Sequence, residues 1–152
     1  MLEIRKLKEN DGLSLSEMLT SSGNEHSKWF TPFAFDYESI CSVLRNACAD
    51  LYFGFFVKDI IVGFYLLRGF DEGFSRPSYG IWVKPEYQNM GLAHLSLAHC
   101  LTICQLLHVS ELMLKVHPLN YKAKRIYEKS GFVHVGTDEK NGNYILVKRL
   151  IE

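Results

Sequence analysis

Six residues, Gln88-Asn89-Met90-Gly91-Leu92-Ala93, with His94 directly behind them, follow an apolar strand-like run from Tyr79 to Val83 and precede a helix-like run that continues to His108. The chemistry this placement permits is anion binding. A glycine lets the backbone approach a ligand closely. The first turn of a helix presents N–H groups with no intrahelical partner and the positive end of its dipole, so a phosphate is held without basic side chains. The same string is also what an ordinary strand-to-helix turn looks like. Downstream, residues 111 to 135 read as a strand, a short loop, an amphipathic helix, a glycine stop and a further strand. Asn120, Ala123 and Tyr127 fall at i, i+3 and i+7, on one helix face. His117, just past the strand, is of the type that accepts a proton near neutral pH, with a solvated loop residue as the plainer alternative.

The two segments together resemble the GNAT superfamily of acyl-CoA N-acyltransferases. Its pyrophosphate motif, Q/R-x-x-G-x-G/A, is matched by Gln88, Gly91 and Ala93, and its later signature by Asn120, Ala123, Tyr127, Gly131 and Phe132. The specific resemblance spans roughly Tyr79 to Val135. It implies an α+β fold: a mostly antiparallel mixed sheet of about seven strands with one splayed strand pair, flanked by about four helices. It also implies acetyl-CoA as co-substrate and no metal. The strands at Tyr79 to Val83 and Glu111 to Val116 would splay apart and offer the backbone of Ile81, Trp82 and Val83 to the pantetheine arm in a strand-like way. The cradle from Gln88 to His94 would take the pyrophosphate. Asn120 would bond the pantetheine amide or cap its helix, Ala123 would line the same face, and Tyr127 would protonate the leaving thiolate.

The general base is where the chain departs from the family. One branch carries a glutamate that aligns with Lys115, and another carries one around Pro77 to Tyr79, where this chain has no carboxylate. His117, acting directly or through water, and Asp71 or Glu72 in the preceding loop are the remaining candidates. Trp29, Phe30, Phe33, Phe35 and Tyr37 cluster around Pro32. In this superfamily such a region walls the acceptor site, so Trp29, Phe30, Phe33 and Tyr79 are the expected acceptor contacts, with a core plug as the alternative.

These residues must be positioned by elements that the rest of the chain supplies. Leu2, Ile4 and Leu7 suggest a first strand, Asn10-Asp11-Gly12 a turn or cap, and Leu13 to Leu19 a helix. A second helix starts near Asp36 with Ile40, Val43 and Leu44 on one face. The runs 51 to 57 and 60 to 67 form a hairpin around Lys58-Asp59, and Arg68 to Pro77 is a loop. Asn141-Gly142 signals a type I′ turn between runs 132 to 137 and 144 to 150. The order βααβββαβαββ is the one the GNAT resemblance implies.

At 152 residues the chain suits one domain, taken as 1 to 152. Lys+Arg and Asp+Glu are both 17, so there is no general electrostatic footprint for nucleic acid. No apolar stretch spans a bilayer and Met1 is followed by Leu2-Glu3-Ile4-Arg5 rather than a signal peptide, so the expectation is a cytoplasmic protein that engages no membrane. The four cysteines contain no C-x-x-C pair. Cys100, Cys104 and His108 share a helix face, but the outer two lie roughly 12 Å apart along the axis, too far for one zinc ion. The expected activity is acetyl transfer to a primary amine of a small molecule or amino sugar by direct attack in a ternary complex. Zero net charge points away from strongly anionic and polycationic acceptors alike. A protein N-terminal or lysine acetyltransferase and a non-catalytic acyl-CoA-binding module are the alternatives, and the oligomeric state, a homodimer included, stays open.

Overall fold

A computed structural model describes residues 1–23 and 27–151. Seven strands form one sheet in the order β1-β2-β3-β4-β5-β7-β6: β1 (Leu2–Lys6), β2 (Leu51–Val57), β3 (Ile60–Arg68), β4 (Ser78–Val83), β5 (Glu111–Val116), β6 (Val133–Thr137) and β7 (Tyr144–Arg149). Every neighbouring pair is antiparallel except β4 and β5, which are parallel. Four α-helices stand among the described residues: α1 (Gly12–Thr20), α2 (Tyr37–Asn46), α3 (Leu92–Leu106) and α4 (Tyr121–Lys129). The mixed sheet with flanking helices is the α+β fold expected from the sequence.

The sheet has a core on each face because β3, near its centre, buries side chains on both. Phe64 and Leu66 point to one side, where Leu15, Met18 and Leu19 of α1 and Ile40 and Leu44 of α2 cover them. Tyr65 and Leu67 point to the other, against Leu92, Leu97, Cys100 and Cys104 of α3. That alternation is the period of two that a strand imposes. The buried residues of α3 recur at helical spacing, so the helix lies along the sheet and its N-terminus emerges at the end of β4.

Turn chemistry departs from the sequence reading at one place. Asn141-Gly142 is not a type I′ turn. Asp138 and Asn143 close the loop instead, Asp138 N–H donating to the Asn143 carbonyl at 2.8 Å, and of the two residues only Gly142 has a positive φ. The Asp138 carboxylate takes Lys140 N–H at 3.0 Å and Lys115 Nζ at 2.9 Å, and these bonds fix a longer loop than the Asn-Gly signal implies. The type I′ geometry occurs in the β2–β3 hairpin, where Lys58 (φ 50°) and Asp59 (φ 65°) are both left-handed between the paired Val57 and Ile60.

Candidate active site

β4 meets β3 through six register pairs but meets β5 only at Ser78–Met113 and Tyr79–Leu114. The parallel strands then diverge, and the wedge between them is the candidate site. Ile81 and Val83 line a cavity of about 630 Å³ on one side of this opening. A smaller cavity of about 200 Å³ shares Trp29, Ile81, Val83, Gln88, Asn120 and Ala123 with it, so the two adjoin.

The larger cavity ends at the N-terminus of α3. Gly91 occupies the N-cap position with φ 90°, a left-handed conformation that favours glycine, and a Cβ there would meet nothing within 4 Å. The first intrahelical bond is Leu95 N–H to the Gly91 carbonyl at 3.0 Å, so the amides of Leu92, Ala93 and His94 precede the helical ladder. The helices α2 and α4 begin differently, with Asp36 Oδ2 accepting from Ser39 N–H at 3.0 Å and Asn120 Oδ1 from Ala123 N–H at 3.4 Å. No side chain caps α3, which leaves its dipole and amides available to a ligand anion. Gln88, Asn89, Gly91, Leu92, Ala93 and His94 all line this cavity, whereas Met90 is exposed and does not.

Two lysines that sequence reasoning missed, Lys28 and Lys122, stand at the same mouth. Lys122 Nζ donates to Asn89 Oδ1, which joins the start of α4 to the cradle. No periodic signal marks either lysine. They arrive from segments distant in sequence, and only the fold brings them together.

The smaller cavity holds the reactive candidates. Tyr127 of α4 is half-buried, stands edge-on to Tyr79 at 6.3 Å and to Phe132 at 5.8 Å, and its hydroxyl has no hydrogen-bond partner among the described residues. Burial raises its pKa well above the ordinary phenol, so the ring keeps its proton at neutral pH. Tyr79 borders the same space, but its hydroxyl is bound to Ser96 Oγ at 2.7 Å and its ring is core, so its contribution to acceptor binding is a wall rather than a donor. Trp29 and Phe30 line the cavity as expected. Phe33 does not: it packs against Phe64, Phe35 and Tyr52 beneath the sheet and is part of the core.

His117 lines the cavity with its ring stacked on Trp29 at 5.0 Å. Its Nδ1 accepts Leu119 N–H at 3.1 Å, which places the proton of the neutral ring on Nε2. In that tautomer the ring is a donor, and proton abstraction would need the Leu119 bond to break first. Asp71 is remote from both cavities: its carboxylate accepts Cys48 N–H at 3.0 Å, Ala49 N–H at 2.7 Å and Asp50 N–H at 3.3 Å. These amides hold its pKa below the ordinary carboxylate value and mark it as a loop clamp, not a base. Glu72 is exposed and lines neither cavity. Among the described residues no aspartate or glutamate lines either cavity, and no group of three His, Cys, Asp or Glu residues could hold a metal.

The model of the acetyltransferase (GNAT) family matches residues 15–132. The chain belongs to the GNAT acetyltransferase family. As a GNAT member it is an acyl-CoA-dependent N-acetyltransferase. No curated protein matches the sequence. Solved GNAT structures share the fold at low identity. The PaiA N-acetyltransferase of Thermoplasma acidophilum, in complex with coenzyme A, superposes with TM-score 0.79 at 21% identity, covering 98% of this chain and 99% of that one. A ribosomal-protein alanine N-acetyltransferase from Escherichia coli gives 0.77 at 18%, covering 100% and 96%. A chimera of the Vibrio cholerae spermidine N-acetyltransferase gives 0.77 at 19%, covering 98% and 95%. Among the described residues no helix is long and apolar enough to cross a membrane.

Proposed function

We propose that this GNAT acetyltransferase moves an acetyl group from acetyl-CoA to the primary amine of a small molecule or amino sugar, by direct attack within a ternary complex. The observation that carries the reading is that the two cavities adjoin across six shared lining residues. One leads from the helix amides that suit a pyrophosphate, and the other brings Tyr127 and an aromatic wall to its far end. The residues fit acetyl-CoA: a left-handed glycine, open helix amides, two lysines at the mouth and the edge of β4 in between.

In the reaction the amine nitrogen attacks the thioester carbon, the C–N bond forms and the C–S bond breaks. Tyr127 gives its hydroxyl proton to the departing thiolate and is reprotonated from solvent. Burial raises the phenol, so it holds its proton until the thiolate departs. The amine proton goes to water, because His117 is held as a donor and Asp71 is committed to the 48–50 backbone. A binding module without turnover would not need an unpartnered hydroxyl at this point. The test is thiol release from acetyl-CoA across an amine panel, run beside CoA-induced thermal stabilisation. Stabilisation with thiol release supports the enzyme; stabilisation with none from any amine supports the binding module.

A further inference from the structure

The acceptor end of the site gathers polar hydrogens with no carboxylate among its lining residues. Lys115 and His117 stand two residues apart at the end of β5, and both line the smaller cavity opposite Tyr127. Lys115 Nζ gives one of its three hydrogens to Asp138 at 2.9 Å, and Asp138 lines neither cavity. His117, with Nδ1 occupied by Leu119, carries its polar hydrogen on Nε2. The cavity thus offers the remaining ammonium hydrogens and an imidazole N–H, with Trp29, stacked on His117, and Phe30 lining it as apolar surface.

We infer that the acceptor is a small primary amine bearing one oxyanion, a carboxylate or a phosphate ester, which Lys115 and His117 bind while Trp29 and Phe30 pack its carbon skeleton. This rests on the N-acetyltransferase reading above. Charge-assisted bonds from Lys115 and an N–H bond from His117 would fix the anion. At about 200 Å³ the cavity is smaller than the usual range for drug-sized ligands, consistent with a small acceptor.

The experiment compares matched pairs in the presence of CoA: L-amino acids with apolar side chains against their decarboxylated amines, and glucosamine 6-phosphate against glucosamine. Binding is read from the fluorescence of Trp29, with Trp29→Phe as the control for the signal, and turnover from thiol release with acetyl-CoA. The anionic member of at least one pair should bind at least tenfold tighter. Lys115→Met should shrink that gap to within about twofold while Lys115→Arg retains most of it, and His117→Leu should shrink it less. The pair that shows the gap tells carboxylate from phosphate. Equal binding within every pair, a gap indifferent to Lys115→Met, or tighter binding of peptides amidated at their C-terminus overturns the inference, the last in favour of a protein N-terminus. A binding gap without thiol release upholds it and sinks the proposed turnover; thiol release without a gap does the reverse.

Discussion

β4 has two neighbours, and it treats them differently. Toward β3 it is paired along its whole length, and the side chains there alternate between two cores. Toward β5 the ladder stops after two residues, and every candidate site residue on the sheet lies at or beyond the break. On the first side a residue matters through its volume; on the second it matters through the atoms it presents. The contrast teaches that the same strand can be scaffold along one edge and a binding surface along the other, so a substitution's effect depends on which edge it touches.

The sharpest way to break that contrast is at Tyr127. Tyr127→Phe keeps the ring and leaves no orphaned hydroxyl partner, so turnover should fall by about 10² to 10⁴-fold with little change in folding stability. Turnover within about twofold of the parent in steady-state kinetics would show that the thiolate leaves unaided. The counterpart on the paired side is Phe64, fully buried. Phe64→Ala should lose about 3–5 kcal/mol in chemical denaturation, yet the folded fraction should still be stabilised by CoA. Loss of CoA binding without loss of stability would erase the distinction between the two edges.

Gly91 sharpens the comparison from the ligand's side. Gly91→Val meets no clash but forces a β-branched residue to φ 90°. The variant should fold and lose the stabilisation that CoA gives the parent, about 2.7 kcal/mol at a hundredfold excess over Kd. An unchanged CoA-induced shift in Tm would remove the cradle from the site.

The smallest effect belongs to His99 on α3, whose Nδ1 meets the Tyr65 hydroxyl at 2.6 Å on the paired side. Burial lowers its pKa. The unfolded ring therefore takes up a proton first as pH falls below about 6.5, and stability present above that value declines toward the folded pKa. His99→Gln should flatten the pH dependence of unfolding free energy there by at most one proton's slope, measured by denaturant titration between about pH 5 and 7.5. An identical slope in both proteins would mean His99 is no part of it.

The regular elements were legible because their periods are strong: the 51–57 and 60–67 runs became β2 and β3 almost residue for residue, and Asp36 caps α2 as its type suggests. That the 88–94 segment and Tyr127 would come to line adjoining cavities was legible through the family motif, with Met90 the exception. Irregular segments were not. Phe30 and Phe33 look alike in sequence and both pack against the core under the sheet, and only the path of the chain lets Phe30 also line the cavity. Asn141-Gly142 has the stronger turn propensity, but the bonds Asp138 makes to Lys140 and Lys115 outweigh it. The tautomer of His117 depends on a backbone amide two residues away, a geometry that residue types do not encode.

The hairpin turn at Lys58 and Asp59 bears on how this enzyme could change. Two consecutive side-chain-bearing residues sit in left-handed backbone, each disfavoured by roughly 1–2 kcal/mol relative to a residue without a Cβ. Neither residue lines a cavity, so nothing in the proposed chemistry requires that strain. Asn-Gly at these positions would relieve it and give the protein mutational headroom. A lineage with that slack could accept destabilising changes around the acceptor wall, and so explore new amines, without falling below the threshold for folding.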